Sequence, residues 1–150
     1  RLSEALKGVA GEVKDGMDIA LFVIDTYFNE LHFSGANNSL FFSGDDGKIT
    51  ELKSDRHPIG GGIQNIDKKF ETKRFPIIPG QRIYLSSDGY YSQFGGEQGK
   101  KFMKSRFKKT LEELQSLPIE EQQSKLSQVF NEWSGKREQT DDVLVMGIEL

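Results

Sequence analysis

The chain contains no cysteine among its 150 residues. That absence excludes a disulfide framework, a cysteine-ligated zinc site and a thiol nucleophile. Long hydrophobic runs are also missing. The longest, Ile19 to Ile24, has the length of a strand, whereas a membrane span needs about 20 apolar residues. No excess of positive charge is present: 20 basic residues face 23 acidic ones, a net charge of -3. A dedicated nucleic-acid binder is usually strongly basic, so that function class is not expected. Hydrophobic content is low at 35%, but phenylalanine alone occurs 11 times. The core should therefore be rich in aromatic rings, and disorder is not expected. A mass of 17.0 kDa fits one domain or a large piece of one. The chain starts at Arg1 rather than Met, as a segment cut or processed from something longer would.

Hydrophobic periodicity predicts an N-terminal helix faced by Leu2, Leu6, Val9 and Val13, then a turn over residues 14–18. Residues 19–25 read as a buried strand. In residues 29–34, Leu31 and Phe33 alternate with Glu30 and His32, the pattern of a half-buried strand. Gly35-Ala36-Asn37-Asn38 reads as a turn. Residues 39–43 and 48–53 flank Gly44-Asp45-Asp46-Gly47, a hairpin signal. Residues 54–69 read as an irregular loop, with strands predicted over 70–75 and 82–86. A helix over 100–115 carries Met103, Phe107, Leu111 and Leu114 on one face. A second helix, begun by Pro118, presents Leu126, Val129, Phe130 and Trp133. The last strand, over 142–150, is apolar on both faces and so reads as central. Strands in meander order and helices in a block give an α+β class with an antiparallel sheet.

The chemistry-bearing residues are aspartates. Ser86-Ser87-Asp88-Gly89 follows a strand directly, and Gly89 permits a sharp exit. Thr140-Asp141-Asp142 stands directly before the last strand. If those two strands are antiparallel neighbours, Asp88 and Asp141 converge. Two close carboxylates repel unless a positive charge lies between them. Oxygen ligands without His or Cys suit Mg²⁺ or Mn²⁺. The same residues also serve as ordinary turn residues, and spacing alone leaves both readings open. His32 and His57 make no catalytic arrangement. The glycines at 60–62 lack the Lys and the strand–helix setting of a phosphate-binding loop. Six of the 20 basic residues fall within positions 100–109. They read as a solvated helix face, with docking of an acidic or phosphorylated protein as the other reading. Trp133 reads as core. Residues 54–69 and 89–99 read either as a substrate-selecting flap or as plain connections.

Four ordered segments carry a family resemblance. Gly80-Gln81-Arg82-Ile83-Tyr84-Leu85-Ser86-Ser87-Asp88-Gly89 resembles the strand and Ser-Asp-Gly motif of the PPM-type, or type 2C, metal-dependent protein phosphatases. The bacterial branch similar to sporulation stage II protein E fits best. Asp15-Gly16-Met17-Asp18-Ile19-Ala20-Leu21 with Ile24-Asp25 resembles an early strand of that branch. Phe33-Ser34-Gly35-Ala36-Asn37-Asn38 resembles its glycine turn, and Thr140-Asp141-Asp142-Val143 its ending. Gln93-Phe94-Gly95-Gly96 through Lys100-Lys101-Phe102 is typical of multidomain bacterial sensor phosphatases. The resemblance implies an αββα sandwich of antiparallel sheets with flanking helices. It implies a binuclear Mn²⁺ or Mg²⁺ centre whose bound water attacks the phosphorus of a phosphoserine or phosphothreonine in line. By the same resemblance Asp88 and Asp141 are metal ligands and the catalytic residues. Asp142 matches a more variable position and either supports the ligands or is structural, and Asp15 lies near a position used for a weaker third metal.

One departure is large. The family's first motif, Asp-x-x-Gly-His-Gly, supplies the Asp that bridges both metals, and this chain does not contain it. The expectation is therefore the C-terminal part of one phosphatase domain, incomplete at its N-terminus and inactive or weak alone. An exposed edge in such a piece favours a homodimer. The alternative is a non-catalytic phosphoprotein-binding or regulatory module; retention of both Asp88 and Asp141 speaks against it. The expected partners are a phosphorylated protein substrate, such as an anti-sigma factor antagonist, and an upstream sensor region in the parent protein. No nucleic acid and no membrane contact by this segment are expected. The implied location is the cytoplasm, a placement compatible with a membrane-anchored parent protein.

Overall fold

The computed structural model describes residues 16–60 and 68–150. The predicted N-terminal helix, Asp15, and Gly61 and Gly62 lie outside the described residues. The strands in chain order are β1 (Gly16–Met17), β2 (Ile19–Asp25), β3 (Glu30–Ala36), β4 (Leu40–Ser43), β5 (Ile49–Leu52) and β6 (Ile59–Gly60). They continue with β7 (Lys73–Pro76), β8 (Arg82–Ser86), β9 (Phe94–Gly95), β10 (Lys100–Lys101) and β11 (Val145–Glu149). The helices are α1 (Gly89–Ser92), α2 (Lys104–Glu113) and α3 (Ile119–Ser134). The chain forms two compact units, Arg1–Leu40 with Lys53–Ile77, and Phe41–Leu52 with Ile78–Leu150.

In the first unit, β2, β3 and β7 form an antiparallel sheet in that order. The predicted alternation holds in β3: Leu31 and Phe33 are buried, while Glu30 and His32 are not. Asp25 shapes the β2–β3 turn, its Oδ1 accepting hydrogen bonds from the Tyr27 and Phe28 amides at 3.0 Å each. Gly35 is a close approach: a Cβ there would sit 2.4 Å from the Asn38 carbonyl oxygen and 2.7 Å from Ser54 Cβ. The predicted turn at residues 14–18 and loop at 54–69 instead supply a two-residue ladder, with Gly16 opposite Gly60 and Met17 opposite Ile59. The predicted burial of β2 is corrected. It is an edge strand among the described residues, and Leu21 is 57% exposed. β-branched and aromatic residues favour a strand, but only a neighbour on each side buries one.

The second unit carries a sheet in the order β11, β8, β4, β5. The predicted β4–β5 hairpin forms, with Gly44 N–H donating to Lys48 O at 2.8 Å. Glu112 reaches from α2 to the sheet edge and accepts the Ile49 amide at 3.0 Å. α2 and α3 bury Phe107, Leu111 and Leu126 with Phe41, Ile49, Tyr84 and Tyr90. The rings meet edge to face, as their quadrupoles favour; the Phe41 and Phe107 centroids lie 5.5 Å apart at 80°. A polar network of two buried side chains, Tyr84 and Gln122, and the half-buried Gln115 was not foreseen. Tyr84 OH donates to Gln122 Oε1 (2.9 Å) and accepts from Gln115 Nε2 (2.8 Å), while Gln122 Nε2 donates to Leu114 O (2.8 Å).

Two elements differ from the sequence reading in ways that bear on the core. The predicted helix over 100–115 begins only at Lys104, because Lys100 and Lys101 pair with Gly95 and Phe94 instead. Met103 then takes a positive φ of 74°, an uncommon state for a non-glycine residue. It is 56% exposed, and Phe102 fills the core in its place. The last strand is not central: among the described residues β11 pairs only with β8. One of its faces turns Val145 to the core, and the other leaves Met146 exposed.

Phe107→Ala should cost about 3–5 kcal/mol, the range for emptying a buried aromatic site, and urea denaturation reads it. Burial holds the Tyr90 phenol protonated well above its ordinary value of 10.0. The unfolded chain releases that proton above its ordinary value while the folded chain keeps it. Stability should thus be full below pH 10.0 and fall as the pH rises beyond it. Tyr90→Phe should flatten that alkaline fall, measured as Tm against pH.

Candidate functional site

β8 and β11 are antiparallel, with Ser86 opposite Val145 and Arg82 opposite Glu149. The end of one strand therefore meets the start of the other, as the sequence argument required. Ser87 carries the pairing one step beyond the strands. Its amide donates to Leu144 O at 3.0 Å. Its hydroxyl donates to Asp142 O at 2.8 Å and accepts from the Leu144 amide at 2.9 Å. Asp88 follows and opens α1; it is exposed and makes no side-chain capping bond.

Gly89 is buried against the opposite segment. A Cβ on it would lie 2.3 Å from Asp142 O, 2.9 Å from Asp142 C and 3.3 Å from Asp141 C. Glycine is needed for room, not for a left-handed turn, which corrects the sharp-exit explanation. The Gly89 backbone thus rests directly on the Asp141–Asp142 backbone. Asp141 is exposed, and its Oδ1 accepts the Asp142 amide at 2.7 Å. Asp142 contributes its carbonyl to Ser87, consistent with a structural part. Asp15 lies outside the described residues.

Among the described residues no group of three or more His, Cys, Asp or Glu side chains gathers. The structure brings together two carboxylate-bearing segments at one end of a strand pair. Carboxylates with no thiolate or imidazole suit a hard divalent cation such as Mg²⁺ or Mn²⁺. His32 pairs with Glu30 at 3.0 Å, and His57 packs on Phe70 with centroids 4.5 Å apart. Neither stands at this site. A cleft of about 760 Å³ between α3 and β11 is lined by Tyr84, Leu126 and Phe130 but by neither Asp88 nor Asp141. Its size does not make it the site of the chemistry, which needs charged donors.

Four of the six basic residues at 100–109 are engaged within the fold, Lys101 by placing Nζ 5.6 Å from the Phe94 ring centroid. Lys104 Nζ meets Glu51 Oε1 at 2.9 Å, Arg106 lies 4.0 Å from the Trp133 ring centroid, and Lys109 faces Glu113 at 3.8 Å. Residues 89–99 are no loose flap. Gly96 N–H donates to Trp133 O at 2.8 Å, and Gly95 has no room for a Cβ, which would sit against that carbonyl. Two residues of this region had no role assigned from sequence, Ser87 and Gln93. Ser87 was visible inside the Ser-Ser-Asp-Gly motif. Gln93 was visible only as the first residue of the Gln93-Phe94-Gly95-Gly96 segment.

The family model described as stage II sporulation protein E matches residues 1–150. The chain belongs to this family. Among solved structures, it is 31% identical to the SiaA PP2C domain of Pseudomonas aeruginosa, with a TM-score of 0.88, covering 99% of this chain and 57% of that one. The phosphatase domain of SpoIIE from Bacillus subtilis, presoaked with Mn, is 16% identical, with a TM-score of 0.66, at 99% and 63% coverage. The RsbU and RsbW domains of a Mycobacterium tuberculosis protein match at 16% identity and a TM-score of 0.75, covering 99% of this chain and 39% of that one. No curated protein matches. The fold is that of PP2C-type phosphatase domains, α+β with antiparallel sheets as expected, and the chain spans less than two thirds of these relatives.

Gly89→Ala should destabilise the domain by about 1–3 kcal/mol through overpacking. It should also shift the amide resonances of Asp141 and Asp142 in a ¹H–¹⁵N spectrum while leaving those of β3 in place.

Proposed function

We propose that the chain is the C-terminal part of a metal-dependent phosphoserine/phosphothreonine protein phosphatase domain acting in bacterial signalling. The contact of the Gly89 backbone, next to Asp88, with the Asp141–Asp142 backbone, within a SpoIIE-family chain, carries this reading. Asp88 and Asp141 would hold Mn²⁺ or Mg²⁺, and Asp15 would serve a further ion. Such a centre supplies a water of lowered pKa and neutralises charge at phosphorus, so no protein nucleophile is needed. The chain's own residues do the placing. Ser87 ties the two segments, Gly89 leaves them room to touch, and α1 carries Asp88 out of the sheet end.

A span of 57% of the SiaA chain and 63% of the SpoIIE chain supports the view that the first strands and first metal motif lie outside these residues. The non-catalytic alternative gains nothing from the geometry, since both aspartates remain exposed at the shared strand end. The substrate would be a phosphoserine on a small regulatory protein, in the manner of an anti-sigma factor antagonist. A relative that joins RsbU and RsbW domains in one chain supports a regulatory partner. No helix among the described residues is long and apolar enough to cross a membrane. This fits a cytoplasmic domain whose parent protein carries the sensor region.

The test is Mn²⁺-dependent hydrolysis of an aryl phosphate, by this chain and by a form extended upstream through the first motif. Activity should be weak in the first and clear in the second. Asp88→Asn or Asp141→Asn should lower the second by more than the roughly 10–100-fold typical of outer-sphere partners. An extended form that is inactive, or indifferent to both substitutions, would rule the reading out. Full activity in the chain alone would overturn the incomplete-domain part.

A further inference from the structure

We propose that Gln93 is a positioning residue for the Asp88–Asp141 pair. It ties the end of the helix that Asp88 begins to the loop that delivers Asp141. The inference rests on the phosphatase reading above and deepens it.

Gln93 is fully buried, at 0% exposure. It caps the C-terminal end of α1, and Asp88 stands at the other end of the same single turn. Its side-chain amide is fully used. Nε2 donates to Glu138 O at 3.0 Å and to Phe94 O at 3.1 Å. Oε1 accepts the Thr140 amide at 3.1 Å and lies 3.4 Å from the Thr140 hydroxyl. Its backbone carbonyl accepts from Trp133 Nε1 at 3.0 Å and from the Phe102 amide at 2.9 Å. One residue is therefore fixed to the core by its main chain and grips the 138–140 loop with its side chain.

Apart from Gln93, the loop's side-chain bonding among the described residues is local, Gln139 Nε2 donating to Asp141 O at 2.8 Å. Residues 138–140 are exposed and belong to no helix or strand. The Glu138 carbonyl and the Thr140 amide take their partners from Gln93, and Asp141 follows immediately. α1 is itself anchored, because Tyr90 OH donates to Leu126 O at 2.8 Å. Asp88 and Gln93 thus move as one body, and the Gln93 amide sets the approach of Asp141 to that body. Ser87 fixes the far side of Asp141 through Asp142 and Leu144. Asp141 lies between two clamps, one on each side in sequence. Apolar packing cannot explain a glutamine here, since a buried amide is tolerated only when its groups are bonded.

The test compares Gln93→Met with the unsubstituted chain, using ¹⁵N relaxation and Mn²⁺-induced broadening of the Gly89 and Asp142 amides. The order parameters of Thr140, Asp141 and Asp142 should drop while those of β8 stay unchanged. The Mn²⁺ concentration for half-broadening should rise about 10-fold, the scale of outer-sphere partners. Val129→Ala, which weakens the helix packing without touching either clamp, should lower Tm yet keep the broadening concentration. Thr140→Pro removes the amide proton that Gln93 accepts and leaves the core side chains in place. It should reproduce both effects if Gln93→Met does not fold. Unchanged order at Asp141 in a folded variant overturns the proposal. So does unchanged broadening where Asp88→Asn abolishes it. If Asp88→Asn leaves broadening intact, the phosphatase reading fails instead, and the order parameters alone decide the Gln93 proposal.

Discussion

The pairing of β8 with β11 is the constraint on which the second unit depends. A strand pair has one register that places each face correctly, and a slip by one residue would reverse both faces. Here Ser86 faces Val145. That register turns Val145 to the core, sets Ser87 beside Asp142 and Leu144, and brings Gly89 onto the Asp141–Asp142 peptide. A slip would set a side-chain-bearing residue where only glycine fits. The site therefore needs no cluster of its own to form. It is a by-product of strand register, extended one step by a serine hydroxyl.

Buried polar bonding joins the helices to the same strands. Arg82 spans the pair, its Nε donating to Glu149 at 2.7 Å and its guanidinium also donating to Gln115 O and Leu117 O. Tyr84, two residues on, meets Gln115 and Gln122. Gln115 and Leu117 lie on the α2–α3 connection, where helix-end carbonyls would otherwise lack partners, and Gln122, in the first turn of α3, donates back to Leu114 O. Such a network favours one arrangement of the helices over others of equal apolar area, because every alternative leaves buried donors unbonded. The aromatic rings supply the bulk of the core, and the amides fix its registration.

Much of this was legible in the sequence because local rules applied. The alternation in β3, the Gly-Asp-Asp-Gly hairpin and the apolar face of α3 follow from side-chain period and turn chemistry. The two aspartates could be placed at one strand end from position alone. What failed depended on distant partners. β2 and β11 read as buried because their residues are apolar, yet burial requires a neighbour that local sequence does not name. Met103 read as a helix-face residue because the spacing fits. The competing hairpin at Phe94–Gly95 and Lys100–Lys101 moved the helix start past it. No sequence feature marked Gln93 or Gln122 as buried, since nothing in a local window tells a solvated amide from one enclosed by backbone groups. Gly89 was right as a glycine and wrong in its reason.

The chain's single tryptophan, Trp133, has its indole N–H on Gln93 O, its carbonyl on Gly96 and the Arg106 guanidinium over its ring. Indole emission depends on the polarity and charge immediately around the ring. With no second indole to dilute the signal, intrinsic fluorescence of this protein is a local reading taken at the seam between α3 and the segment leaving α1. Light collected from the whole sample thus describes one junction, adjacent to the residue that grips the Asp141 loop, and is silent about strands elsewhere in the fold.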